Sequence, residues 1–152
     1  MILADEAATL AIGARLAALL CAGDVVALSG PLGSGKTTLA RGCLAALGFD
    51  GEVASPTFTI VQSYDETAAR LPVLHVDLYR LEHPGEAAEL GLDDARADHA
   101  LLVEWPERLG DRLWSDALRL TLEPTVDGAR RLTAHAPAAW EGRWPAPQLP
   151  EQ

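Results

Sequence analysis

The sequence predicts an α/β fold: a three-layer sandwich around a mostly parallel sheet, with a C-terminal antiparallel hairpin. Three observations carry this prediction. Short apolar runs of buried-strand type, such as residues 24–29 and 100–104, are separated by helical segments, the order that builds a parallel sheet covered on both faces. A strand, a glycine-rich turn and a helix follow one another over residues 24–47, which is half of a βαβ unit. Near the end, Leu118, Leu120 and Leu122 alternate with Arg119, Thr121 and Glu123, and Leu132, Ala134 and Ala136 alternate after an Asp127-Gly128 turn signal. That pattern is a hairpin with one solvated face.

The elements follow in order. Asp5 is a candidate N-cap, and Ile12, Leu16, Leu19 and Leu20 recur at helical spacing up to Cys21, with Gly23 as the expected terminator. After the strand at 24–29 and the turn from Gly30 to Gly35, a helix runs from Lys36 to Leu47 and is closed by Gly48. Residues 58–64 and 72–79 read as strands, 84–98 as one or two short helices, and 100–104 as another buried strand. Residues 1–136 thus read as one α/β domain. Residues 137–152 carry four prolines and no periodicity, and are expected to be a loose tail, although Trp140 and Trp144 offer docking groups.

Composition narrows the function. With 152 residues, 49% apolar and 22% charged, the chain suits one domain that buries about 70% of its unfolded surface, and neither disorder nor several membrane spans. A net charge of -10 opposes strong direct binding to nucleic acid or to anionic membranes. Cys21 and Cys43 form neither a metal motif nor a disulfide framework and are expected to be buried or half-buried thiols in a reducing compartment. The acidic start lacks signal-peptide character, so a cytoplasmic location is expected. Of the 12 basic residues only Lys36 is a lysine.

That lysine falls within Gly30-Pro-Leu-Gly-Ser-Gly35-Lys36-Thr37-Thr38, a full match to G-x-x-x-x-G-K-[ST] between a strand and a helix. This is the phosphate-binding loop of P-loop NTPases. Gly33 and Gly35 let successive backbone N–H groups turn inward, and the helix that follows adds the partial positive charge of its N-terminus. Lys36 supplies a slender ammonium for the β and γ phosphates of a nucleotide, a role that the planar guanidinium of arginine fills poorly. Thr37 offers its hydroxyl to Mg²⁺. The nucleotide-binding set in the loop is Gly33, Ser34, Gly35, Lys36, Thr37 and Thr38. A Mg-dependent NTPase also needs an acid at the tip of a nearby buried strand. Two apolar runs end in one, at Asp77 and Glu104, and either can hold the metal or orient the attacking water.

Beyond the loop, Ser55-Pro-Thr-Phe-Thr-Ile60, His75-Val-Asp-Leu-Tyr-Arg80, Glu89-Leu-Gly91 and Val103-Glu-Trp-Pro106 stand in the order and spacing of the TsaE family of bacterial tRNA threonylcarbamoyladenosine biosynthesis ATPases, which the chain resembles from about Asp5 to Ala136. The resemblance implies a small P-loop ATPase that is slow alone and supports turnover of a two-protein transferase complex, whose members have the actin-like sugar-kinase fold. By the same resemblance Thr57 lies near the reacting centre, Asp77 is the catalytically important acid, and Glu104 is the acid near Mg²⁺. Trp105 adjoins the nucleotide, and the region up to Thr9 approaches the adenine. Pro31 stands where many members carry an acid.

ATP over GTP also rests on this likeness, and no Asn-Lys-x-Asp guanine signature is present. The alternative is a small-molecule P-loop kinase, for which Arg96, Arg108 and Arg112 are the candidate lid arginines. The stretch from Pro84 to Asp116 is short for both a lid and an acceptor domain.

Overall fold

Four parallel strands carry the centre of the structure, a computed structural model that describes residues 1–49, 61–64 and 70–144. The described strands are β1 (Ile2–Leu3), β2 (Val25–Ser29), β3 (Val61–Tyr64), β4 (Val73–Asp77), β5 (Ala100–Glu104), β6 (Leu118–Pro124) and β7 (Arg130–His135). They form one sheet in the order β1-β7-β6-β2-β5-β4-β3. β6, β2, β5 and β4 are mutually parallel, whereas β3 on one edge and β7 and β1 on the other run antiparallel. The predicted mixed α/β architecture and its hairpin are therefore present. The short β1, which pairs with β7, has no counterpart in the sequence reading.

Helical segments cover both faces of the sheet. On one face lie α1 (Glu6–Leu19) and α2 (Lys36–Leu47), whose Leu16, Leu39 and Leu44 pack with Val26, Leu28, Leu102 and Leu120. On the other face, α3 (Leu92–Ala95) and 3-10 turns at Pro84–Leu90 and Pro106–Arg112 bury Leu92 and Leu109 against Val25, Leu101 and Val103. Cover on both faces explains why all five residues of β4 and of β5 are buried and why these strands read as unbroken apolar runs. The segment at 84–98 forms short helical turns, as expected. The 3-10 turn after Trp105 was not foreseen.

Asp5 caps α1 by accepting the Ala8 N–H at 2.9 Å. The helix ends at Leu19 with Leu20 as its C-cap, ahead of the expected Gly23, and its last turn contains no basic residue. Arginines from distant segments serve it instead. Arg70 donates to the Ala17 and Leu20 carbonyls, and Arg143 donates to the Leu19 carbonyl at 2.6 Å.

Arg143 also corrects the expectation of a loose tail, as far as residue 144. It pairs with Asp24 at 2.5 Å and lies over the Trp140 ring, while Trp140 and Trp144 are buried in the α1–α2 core. Two indoles bury enough apolar area to order a segment that has no periodicity of its own. A second correction concerns the thiols. Cys43 is buried, and burial pushes it up to about 12, but Cys21 is exposed.

Candidate functional site

Because β2, β4, β5 and β6 are parallel, their carboxyl ends open on the same edge of the sheet. The turn from Gly30 to Gly35 leaves β2 there and enters α2. Gly30 must be glycine: its φ is +144°, and a Cβ would lie 2.3 Å from the Leu122 carbonyl oxygen. Gly35 is the N-cap of α2 at φ +106°, so no side chain caps the helix, and its first turn holds no acid. The free N–H groups of that turn and the helix dipole favour an anion.

In front of the helix lies a cavity of about 450 Å³. Its walls include Gly33, Ser34, Gly35, Lys36, Thr37 and Thr38 from the loop and α2, Thr9 from α1, and Asp77, Glu104 and Trp105 from the strand tips. Every predicted site residue except Thr57 thus meets in one place; Thr57 lies outside the described residues.

The parallel register sets Asp77 beside Glu104, and Glu104 beside Leu28 of β2. Thr37 Oγ1 donates towards the Glu104 carboxylate, 3.4 Å from each oxygen. The buried Ser34 hydroxyl has no partner among the described residues. Lys36 is buried, donates to the Gly30 carbonyl and lies 3.9 Å from the Trp105 ring centre. Burial lowers its pKa from the ordinary lysine value, opposed by the carboxylates of Glu104, Glu107 and Asp77. Asp77 is shifted the other way. Burial raises its pKa and Glu104 adds to this, while the Tyr79 N–H, donated at 2.9 Å, and Lys36 hold it down.

Trp105 occupies the left-handed region, with φ 58° and ψ 50°, and is the single non-glycine residue at positive φ among those described. This turn swings its ring over Lys36 and against Tyr79, 4.9 Å between centroids.

Sequence reasoning missed Arg130. It lines the cavity and donates to the Gly33 carbonyl at 3.2 Å and to the Gly128 and Ala129 carbonyls. No local motif announces it. It arrives because β6 runs parallel to β2, which brings the following turn to the same edge as the loop. Of the candidate lid arginines, two lie away from the site and Arg108 stands beside Tyr79, which lines it. Arg96 is fixed to the Gly23 carbonyl and Asp116 at the opposite end of β2, Arg112 lines a separate cavity, and Arg108 stands 5.7 Å from the Tyr79 ring.

These features define an α/β protein with a glycine loop, at an uncapped helix start, facing acids at the tips of parallel strands. The profile of the family described as "Threonylcarbamoyl adenosine biosynthesis protein TsaE" matches residues 3–132, and the chain belongs to that family. It is 44% identical over 127 residues to the tRNA threonylcarbamoyladenosine biosynthesis protein TsaE of Streptomyces coelicolor, covering 80% of this chain and 86% of that protein. Against the protein of the same description from Bacillus subtilis it is 38% identical over 126 residues, covering 82% and 77%. The crystal structure of Bacillus subtilis YdiB superposes with a TM-score of 0.79 at 30% identity, covering 93% of this chain and 88% of that one. Among the described residues, no helix is long and apolar enough to cross a membrane.

Proposed function

We propose that the chain is a Mg-dependent P-loop ATPase of tRNA threonylcarbamoyladenosine biosynthesis. The observation that carries this reading is the meeting of Lys36, Thr37 and Glu104 at the uncapped start of α2. The donors there suit magnesium, because a hydroxyl and a carboxylate are the hard oxygen ligands this ion takes, and Thr37 and Glu104 would hold it. When bound, Mg²⁺ neutralises charge on the β and γ oxygens of ATP.

The chain's own groups do the rest. Loop N–H groups and Lys36 bind the phosphates. Asp77, whose raised pKa makes it a stronger base than an exposed aspartate, orients the attacking water and accepts its proton at a carboxylate oxygen. Lys36 and Arg130 are the cations among the described residues that line the cavity, and Arg130 is occupied by backbone carbonyls. Slow hydrolysis alone is then expected, with acceleration by the two proteins of the transferase complex, of actin-like sugar-kinase fold. Supplying a missing charge donor in trans is worth about 10³–10⁵ in rate. A net charge of -10 leaves the tRNA to those partners.

The test is ATP hydrolysis with and without the partner pair. Asp77→Asn and Glu104→Gln should each lower the stimulated rate by about 10²–10⁴. Full-rate hydrolysis without partners, or unimpaired variants, would overturn the reading.

A further inference from the structure

His75 is completely buried in the middle of β4 and is not used in the function proposed above. Its Nε2 lies 2.6 Å from Glu104 Oε2, and its Nδ1 has no partner among the described residues. Val73 and Leu102 belong to the core under α1 and α2, and the β4–β5 register pairs His75 with Leu102 and Asp77 with Glu104. By strand alternation His75, Asp77 and Glu104 therefore share the face that α2 covers.

An ionised carboxylate only accepts, so the ring must donate Nε2–H to Oε2. That tautomer leaves a lone pair on Nδ1 without a donor, which costs less than burying an unpaired N–H. The two Glu104 oxygens consequently differ. Oε2 is held by the imidazole and also lies 3.4 Å from the Thr37 hydroxyl, whereas Oε1 meets, among the described residues, that hydroxyl alone, likewise at 3.4 Å.

We propose that His75 is a positioning residue that locks the Glu104 carboxylate, presenting Oε1 together with Thr37 Oγ1 to a divalent cation. The inference rests on the reading that Glu104 and Thr37 hold that cation. It accounts for an imidazole set between the apolar residues Leu74 and Val76 of β4: a flexible glutamate at a strand tip loses the ability to turn away, and the metal site is formed before the metal arrives. Groups that orient a ligand in this way typically contribute about 10–100-fold in metal affinity.

The test is Mn²⁺ binding to the full chain in the presence of ATP, read from the electron paramagnetic resonance signal of free Mn²⁺ as the loss beyond that of a protein-free Mn²⁺–ATP control. Wild type, His75→Leu and His75→Gln are compared, with ATP binding in EDTA measured for each. His75→Leu should weaken Mn²⁺ binding by about 10–100-fold while ATP binding in EDTA is retained. His75→Gln, whose amide places a donor near the Nε2 position, should recover most of the loss. If the leucine variant does not fold, His75→Asn, whose shorter amide falls short of Glu104, takes its place. Wild-type Mn²⁺ affinity in the variants would overturn the proposal, as would parallel loss of Mn²⁺ and metal-free ATP binding in all of them. A wild-type chain that binds no Mn²⁺ with ATP present would instead overturn the ATPase reading, and this inference with it.

Discussion

At Asp77, burial outweighs the donors that favour its charge, and this has a sign that can be checked. Its folded pKa lies above the unfolded value of 3.8. Within that window the folded chain holds a proton that the unfolded chain has released, so this contribution to stability is full below 3.8 and is lost as pH rises through the folded value. Asp77→Asn carries no such proton. Its urea midpoint is predicted to gain on wild type as pH rises from 4 to 7, and parallel profiles would contradict the assignment. The same variant should lose hydrolysis, so stability and activity move in opposite directions at this residue. Asp77 and Glu104 were legible singly, each as the acid that ends an apolar run. The contact between Glu104 and His75 was not, because it depends on the register of two strands that lie far apart in sequence.

At the scale of elements, α1 and α2 cross so closely that glycine is required on each. A Cβ on Gly13 would lie 2.2 Å from the Leu39 carbonyl oxygen, and one on Gly42 would lie 2.3 Å from that of Leu10. Helix propensity alone favours alanine at both positions by up to about 1 kcal/mol. The backbone clash reverses that preference, and Gly42→Ala is predicted to lower stability by about 1–3 kcal/mol in urea unfolding. An unchanged or raised midpoint would show that the helices can separate without cost. The C-terminal end of α1 depends on arginines supplied from elsewhere. Arg143→Ala removes hydrogen bonds to the Leu19 carbonyl and to Asp24. After allowance for its partial exposure, the expected loss is about 1–2 kcal/mol, seen as a lower urea midpoint with unchanged slope. Local signals placed α2 from Lys36 to Leu47, with Gly48 at φ +104° closing it, because the loop and the terminator are both written in glycine. The docking of residues 137–144 carries no periodic signal. It comes from two indoles that enter the α1–α2 core and one guanidinium that meets Asp24 and the end of α1.

At the scale of the molecule, the sheet explains why a linear reading located most of the site. Parallel strands deliver their carboxyl ends to one edge, so a loop after one strand and acids at the ends of two others must meet. What the sequence did not disclose is what lies across the strand order. Arg130 reaches Gly33 because β6 neighbours β2, and Trp105 covers Lys36 because the chain makes a left-handed turn just after β5. The charge balance belongs to this scale too, since a strongly acidic body opposes attraction to a nucleic-acid backbone, while the buried Lys36 sits at the loop edge of the sheet. The central claim is that this edge binds ATP through Lys36. Titration calorimetry of the full chain with Mg·ATP tests it most directly: wild type should bind one nucleotide, and Lys36→Ala should bind at least about 100-fold more weakly, the loss of a charge-assisted contact to two phosphates. Equal affinity of the two proteins for Mg·ATP, or no binding by wild type, would contradict it.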